Sequence, residues 1–210
     1  MPKKHLPLLV VVCGLLLLVT AGWRYPGGSR QDPASKGYSW QHNYLCNLFA
    51  EKAINGATND GRFFAMGGML LVCLAMALLF AGIARKAPSS SLQKIIAWPG
   101  MAAMAAAFLV ITSLHDLMTT LGCTLALLAL LGIIVMLFQT RQFIFLAAGI
   151  LSMLSLYTAS YVYYSGQGLY WLPVLQKISF FLTITWFLLL HYYLPLPQKT
   201  GAEQEAGSHP

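Results

Sequence analysis

Charged side chains are the scarcest feature of this 210-residue sequence. Asp, Glu, Lys and Arg make up only 9% of it, and six residues are acidic, whereas apolar residues reach 58%. Soluble domains average roughly 25% charged and 45–50% apolar residues. The deficit excludes an ordinary soluble enzyme and a disordered regulator, because a chain with so few charges needs lipid as its solvent.

The few charges present are mostly basic, with a formal net charge of +7. A nucleic-acid-binding protein would gather such an excess into a stripe or an arm. Here the basic residues are scattered between apolar runs. We therefore expect them to set the membrane topology beside anionic headgroups. Membrane lipids are the expected partners, nucleic acid is not, and the oligomeric state stays open.

Cysteine spacings typical of zinc sites or redox motifs are absent, since the sequence has no CxxC pair. Cys13, Cys73 and Cys123 lie inside apolar runs, and only Cys46 lies in a polar segment. We expect four free thiols, with Cys46 as the one candidate for reactivity. No cofactor and no tightly bound metal are expected.

Six apolar stretches are long enough to cross the hydrocarbon core, which takes about 20 helical residues. They are Leu6–Trp23, Phe64–Ala84, Ile95–Leu114, Leu117–Phe138, Gln142–Tyr164 and Tyr170–Tyr192. The first also resembles a signal peptide, but five spans follow and we expect it to stay uncleaved. The prediction is an all-α polytopic membrane protein, a single six-transmembrane-helix bundle over 1–195.

Three segments around these spans carry further predictions. A hairpin near Thr112–Thr120 separates the third and fourth spans, and Ser113–Asp116 fits a capping box that would start the fourth helix. The loop at 24–63 is expected to be extracytoplasmic. The polar tail at 196–210 is expected to be disordered and cytoplasmic.

The short loops indicate the orientation. Lys3, Lys4, Arg85, Lys86, Lys94, Arg141 and Lys199 all fall on the side of the termini. By the positive-inside rule both termini are expected in the cytoplasm. The loop Arg24–Arg62 opposes this with five basic residues of its own. We follow the short loops.

Polar residues expected at the extracytoplasmic side form a candidate ligand pocket. The set is His42, Asn43, Asn47, His115, Asp116, Gln176 and Lys177. Charges at membrane depth are costly, so an Asp116–Lys177 ion pair is predicted to anchor the pocket. The structural alternative is that Asp116 caps a helix, Lys177 snorkels to the headgroups and His42 is a simple loop residue.

The layout resembles six-helix bacterial membrane proteins of unknown function related to the Frag/DRAM group. The resemblance lies in the loop segments 37–39 and 43–49, the pair His115-Asp116, and Gln176-Lys177 followed by Trp186. It implies a six-helix bundle in a bacterial cell membrane. The sequence departs from the family at Cys46-Asn47, where Ser-Asp is usual, and at Lys177, where Arg is usual.

Three functions are compatible with this pattern. The first is a membrane protein, not an enzyme, whose extracytoplasmic pocket takes a lipid or a small ligand, and no catalytic residue is assigned. The second is a membrane-embedded lipid hydrolase using His42, His115 and Asp116, the smallest set that could hold a catalytic metal. The third is a small transporter, in which internal repeats and broken helices would be expected.

Overall fold

The computed structural model describes residues 3–195, and its architecture is all-helical. Six helices in this range are long and apolar enough to cross a membrane, which confirms the predicted fold class. They are α1 (Leu6–Arg24), α2 (Arg62–Ala84), α3 (Ser90–Leu109), α4 (His115–Gln139), α5 (Phe143–Ser165) and α6 (Leu172–Tyr193). The predicted disordered tail at 196–210 lies outside the described residues.

The central helix of the bundle is α2, which packs against α1, α3 and α6. Its crossing with α1 is close because two glycines face each other there. A Cβ added at Gly68 would lie 2.7 Å from the carbonyl oxygen of Gly14. A little further along, the ring of Phe80 occupies the space beside Gly100 of α3. Small residues thus allow the backbones to approach where lipid gives no hydrophobic driving force.

The other half of the bundle is built in the same way. Ala103 and Ala106 of α3 are buried against Gly122 of α4, where small side chains again permit a close contact. On α6, Trp186 covers Gly149 of α5. Its indole Nε1 donates to the Phe145 carbonyl at 2.9 Å, so the one polar atom of this large side chain has a partner.

The turn between α3 and α4 differs from the prediction in its detail. The residue before α4 is Leu114, and no side chain caps this helix. The Thr112 hydroxyl instead accepts from the Leu114 amide at 3.3 Å. Because α4 begins at His115, Asp116 falls in its first turn. The predicted capping box at Ser113–Asp116 is therefore wrong.

The ends of the described chain meet on one side of the bundle. The Lys86 ammonium donates to three carbonyls at the end of α6, those of Leu190, His191 and Leu194. The Lys4 carbonyl lies 2.9 Å from Nε2 of His191. Burial lowers the pKa of Lys86, and the nearby Lys4 ammonium lowers it further. A cation here compensates the negative end of the α6 dipole.

The long loop folds into a compact cap on the opposite side, and we call residues 25–61 the cap. It contains a short 3₁₀ helix, Leu45–Phe49, and two isolated β-bridges. Buried amides hold it together: the Asn59 amide nitrogen donates to the carbonyls of Leu48 and Ala50. The cap covers the ends of α2 and α6 and so positions the polar residues considered next.

Candidate functional site

The cap is organised around Asn43, whose side chain is completely buried (0% exposed). Its amide nitrogen donates to the Gly28 carbonyl at 2.8 Å, and its amide oxygen accepts from the Ser39 amide at 2.8 Å. Its own carbonyl accepts from the Tyr38 hydroxyl at 3.2 Å. These bonds connect Asn43 to Gly28, Tyr38 and Ser39 of the cap. They also offset the cost of burying its amide, since an unpaired buried amide is destabilising.

Lys177 joins the cap to α6. Its ammonium donates to the Asn43 carbonyl at 2.6 Å and to the Pro173 carbonyl, one turn back on α6, at 3.0 Å. The same ammonium lies 5.5 Å from the centre of the Tyr38 ring, within cation–π range. Lys177 is 8% exposed, and among residues 4–195 it is the only charged side chain that is buried. The structural alternative expected this ammonium to extend outward past the protein, but it is instead buried against the cap.

Gln176 and Asn47 complete this contact. The Gln176 side-chain oxygen accepts from the Leu45 amide at 2.9 Å, a second bond from α6 to the cap. The Asn47 side-chain oxygen accepts from the Tyr44 amide at 2.7 Å and so fixes the start of the 3₁₀ helix. Four of the predicted residues are thus brought together: Asn43, Asn47, Gln176 and Lys177.

His42 lies beside this group, against the turn that leads into α6. Its ring centre is 5.5 Å from that of Tyr170, and its amide donates to the Ser39 hydroxyl at 3.2 Å. Its Nδ1 is buried and has no hydrogen-bond partner. His42 is therefore a packed residue between two loops and more than an unconstrained loop side chain.

His115 and Asp116 do not join the group. Nδ1 of His115 lies 3.0 Å from a carboxylate oxygen of Asp116, and the Asp116 side chain is 90% exposed. Lys177 bonds carbonyl oxygens, so the predicted Asp116–Lys177 pair is wrong. The reason is tertiary: α4 packs against α3 and α5, whereas Lys177 turns toward the cap.

The three residues of the hydrolase alternative are likewise not assembled into a metal centre. Between residues 3 and 195 no group of three or more His, Cys, Asp or Glu side chains could hold a metal ion. His42 contacts Tyr170, whereas His115 contacts Asp116. A Zn²⁺ site needs at least three protein ligands around one point, and the described residues do not supply them.

The cysteines are free, as predicted, and Cys46 is the one that lies in the cap. Burial raises the pKa of its thiol, and hydrogen bonds from the Cys46 and Asn47 amides and the charge of Lys177 offset only part of that rise. Burial also raises the pKa of the Tyr38 and Tyr25 hydroxyls. These three groups are therefore protonated at neutral pH, and Cys46 is less nucleophilic than its polar sequence context suggests.

A groove runs along α6 below the rim of the cap, and we call it the α6 groove. Its volume is about 370 Å³, within the usual range of small-molecule sites. Its wall is apolar except for the lysine and one threonine, and it is lined by Trp40, Val174, Lys177, Ile178, Phe181, Leu182 and Thr185. Trp40 belongs to the cap, and the other residues belong to α6.

The sequence prediction missed most of this groove. Val174, Ile178, Phe181 and Thr185 recur at helical spacing with the lysine, but any lipid-facing stripe shows the same spacing. Nothing in the sequence indicates that Trp40 lines the same groove as these α6 residues. The loop segment 37–39, noted for its resemblance, includes Tyr38, whose ring lies beside the Lys177 ammonium.

Comparisons with family models, curated proteins and solved structures found no match for this chain. The resemblance to the Frag/DRAM group therefore stays a prediction. Six apolar helices and the cap–α6 contact are the structural features that bear on its function.

Proposed function

We propose that this protein binds a membrane amphiphile at the cap end of α6, with an acyl chain lying in the α6 groove. The observation that carries the proposal is the groove itself, an apolar trough lined at its cap end by Trp40 and the buried Lys177. A trough with an apolar floor and one polar end matches a molecule with a tail and a headgroup.

The position of the groove along α6 supports an acyl chain. The wall extends from Val174 to Thr185, about 16 Å along a helix axis. The hydrocarbon core of a bilayer is about 30 Å thick, so one leaflet takes about half of that depth. Because α6 begins at Leu172, the groove covers the depth of the leaflet on the cap side.

We further propose that the cap is extracytoplasmic and that the membrane is a bacterial cell membrane with both termini in the cytoplasm. The orientation is supported by the basic residues of the short loops, such as Arg85 and Lys86. The bacterial membrane is supported by the Frag/DRAM resemblance alone. On this orientation the amphiphile comes from the outer leaflet.

Photo-crosslinking tests the proposal. The protein is placed in nanodiscs with either phosphatidylcholine or phosphatidylglycerol that carries a diazirine in its acyl chain, and cross-links are mapped by mass spectrometry. With at least one of the two lipids, we expect labelling to concentrate on Trp40 and on residues 174–185.

A groove-filling variant with a matched control sharpens this test. Leu182→Trp puts an indole into the groove and should reduce the α6 labelling several-fold. Leu154→Trp makes the same change on the exposed face of α5, where Leu154 is 58% exposed, and should leave it unchanged. Equal labelling of α5 and the α6 groove with both lipids would refute the proposed function.

A further inference from the structure

The ammonium of Lys177 has a donor to spare. A protonated lysine carries three N–H donors. Two of them reach the carbonyls of Asn43 and Pro173, and among the described residues no acceptor within hydrogen-bonding distance takes the third. The Tyr38 ring lies near the ammonium, but its centre is 5.5 Å away. Lys177 is also one of the residues that line the α6 groove.

The charge of Lys177 is also not neutralised by protein. The salt bridges found among the described residues join Arg62 to Glu51 and His115 to Asp116. Both carbonyl partners of Lys177 are neutral dipoles, so a full positive charge stays at the head of an apolar trough. Buried charges are ordinarily paired, because desolvation without a counter-charge is costly. An anionic group beside the ammonium would supply the counter-charge.

We infer that the amphiphile is an anionic phospholipid of the cap-side leaflet whose phosphate oxygen accepts the third hydrogen bond of Lys177. This inference rests on the proposed function and adds the headgroup chemistry to it. The apolar tail would lie over Ile178, Phe181 and Leu182, with Trp40 at the headgroup level, where indoles are favoured. The contact with Lys177 would be a single charge-assisted hydrogen bond, since an ammonium lacks the fork of a guanidinium.

A competition experiment tests the headgroup without changing the protein. The wild-type chain is cross-linked in nanodiscs with the diazirine phosphatidylglycerol, in the presence of increasing unlabelled phosphatidylglycerol or phosphatidylcholine. We expect phosphatidylglycerol to reduce labelling of residues 174–185 at several-fold lower mole fraction than phosphatidylcholine does. The two unlabelled lipids should reduce labelling of the exposed α5 face equally.

Variants then assign the preference to Lys177. Lys177→Met should abolish the preference and leave labelling of the groove by the phosphatidylcholine probe. Lys52→Met removes the same charge from an exposed position of the cap and should keep the preference. Loss of the preference in Lys52→Met as well would trace it to general surface charge and would overturn the inference.

The two failures are distinguishable. Groove labelling with equal competition by both lipids would overturn the anionic headgroup and leave the proposed function standing. No concentration of labelling in the groove with either probe would overturn the proposed function together with this inference. Because the competition uses the wild-type protein, the inference can be refuted even if Lys177→Met does not fold.

Discussion

At the scale of single residues, the contrast between Lys177 and Asp116 decides how the polar cluster works. Both were expected to share one ion pair, yet one is buried under the cap and the other is 90% exposed. The buried charge of Lys177 is therefore stabilised by the carbonyls of Asn43 and Pro173 and by the Tyr38 ring. Asp116 pairs with its neighbour His115 at a largely exposed position, and such exposed pairs contribute little to stability.

We predict that Lys177→Met lowers the free energy of unfolding in detergent by about 1–3 kcal/mol, because the cap loses its charge-assisted bond to α6. Asp116→Ala should change it by less than about 0.5 kcal/mol, as surface substitutions usually do. The two effects should add, since the sites share no partner. Chemical denaturation monitored by tryptophan fluorescence measures them, and a double mutant clearly milder than the sum would revive the direct pair.

Cys46 gives a pH-dependent prediction. A raised thiol pKa leaves little thiolate at neutral pH, so reaction with a water-soluble methanethiosulfonate should be slow at pH 7. The rate should rise about tenfold per pH unit while the pH stays below the pKa, because only the thiolate reacts. The measurement uses variants in which Cys46 is the only thiol.

A matched control for this reaction is Ala57→Cys, an exposed position of the same cap. Its thiol should react much faster than Cys46 at pH 7. Comparable rates at the two positions would show that the cap is open in solution and that burial of Cys46 is not maintained.

At the scale of elements, adjacent glycines of α2 have opposite environments. A Cβ at Gly68 would meet the Gly14 carbonyl oxygen at 2.7 Å, whereas a Cβ at Gly67 would meet only a side-chain carbon of Leu17 at 3.6 Å. Contact with a backbone atom forces the helices apart, while contact at 3.6 Å is ordinary packing.

We therefore predict that Gly68→Ala destabilises the bundle by about 1–3 kcal/mol through overpacking of the α1–α2 crossing. Gly67→Ala should be neutral or stabilising by up to about 1 kcal/mol, because alanine is the better helix former. The difference in thermal midpoint between the two purified variants measures the effect. Equal midpoints would mean that α1 and α2 do not cross at Gly14 and Gly68.

At the scale of the whole molecule, the cap and the described chain ends lie on opposite sides of the six helices. The even number of spans puts both described ends on one side, and the cap lies on the other side because it follows the first span. Neither placement depends on which side faces the cytoplasm. The orientation depends on the basic residues alone, and the cap carries several of its own.

We predict that Ser90→Cys, in a variant without other cysteines, is labelled by a membrane-impermeant maleimide only in inverted vesicles. The reason is that Arg85, Lys86 and Lys94 surround this loop. Ala57→Cys in the cap should be labelled in intact cells and serves as the matched control. Labelling of Ser90→Cys from outside intact cells would reverse the assignment and place the α6 groove in the inner leaflet.

The sequence by itself determined the fold class and the spans. Each apolar stretch must satisfy its backbone internally in lipid, so its length alone predicts a helix. The observed bounds, such as α1 at Leu6–Arg24, agree with the predicted stretches within a few residues at most ends.

Only the tertiary structure decided the site. Lys177 bonds Asn43, 134 positions away in the chain, and the choice of this carbonyl over Asp116 depends on how the cap folds. Apolar spans look alike to lipid, so the sequence pattern does not specify which helices are neighbours, and the α4–α6 contact assumed for the ion pair had no local signal. The α6 groove is likewise a product of tertiary structure, because Trp40 of the cap and the α6 residues that line it are more than 130 positions apart in the chain.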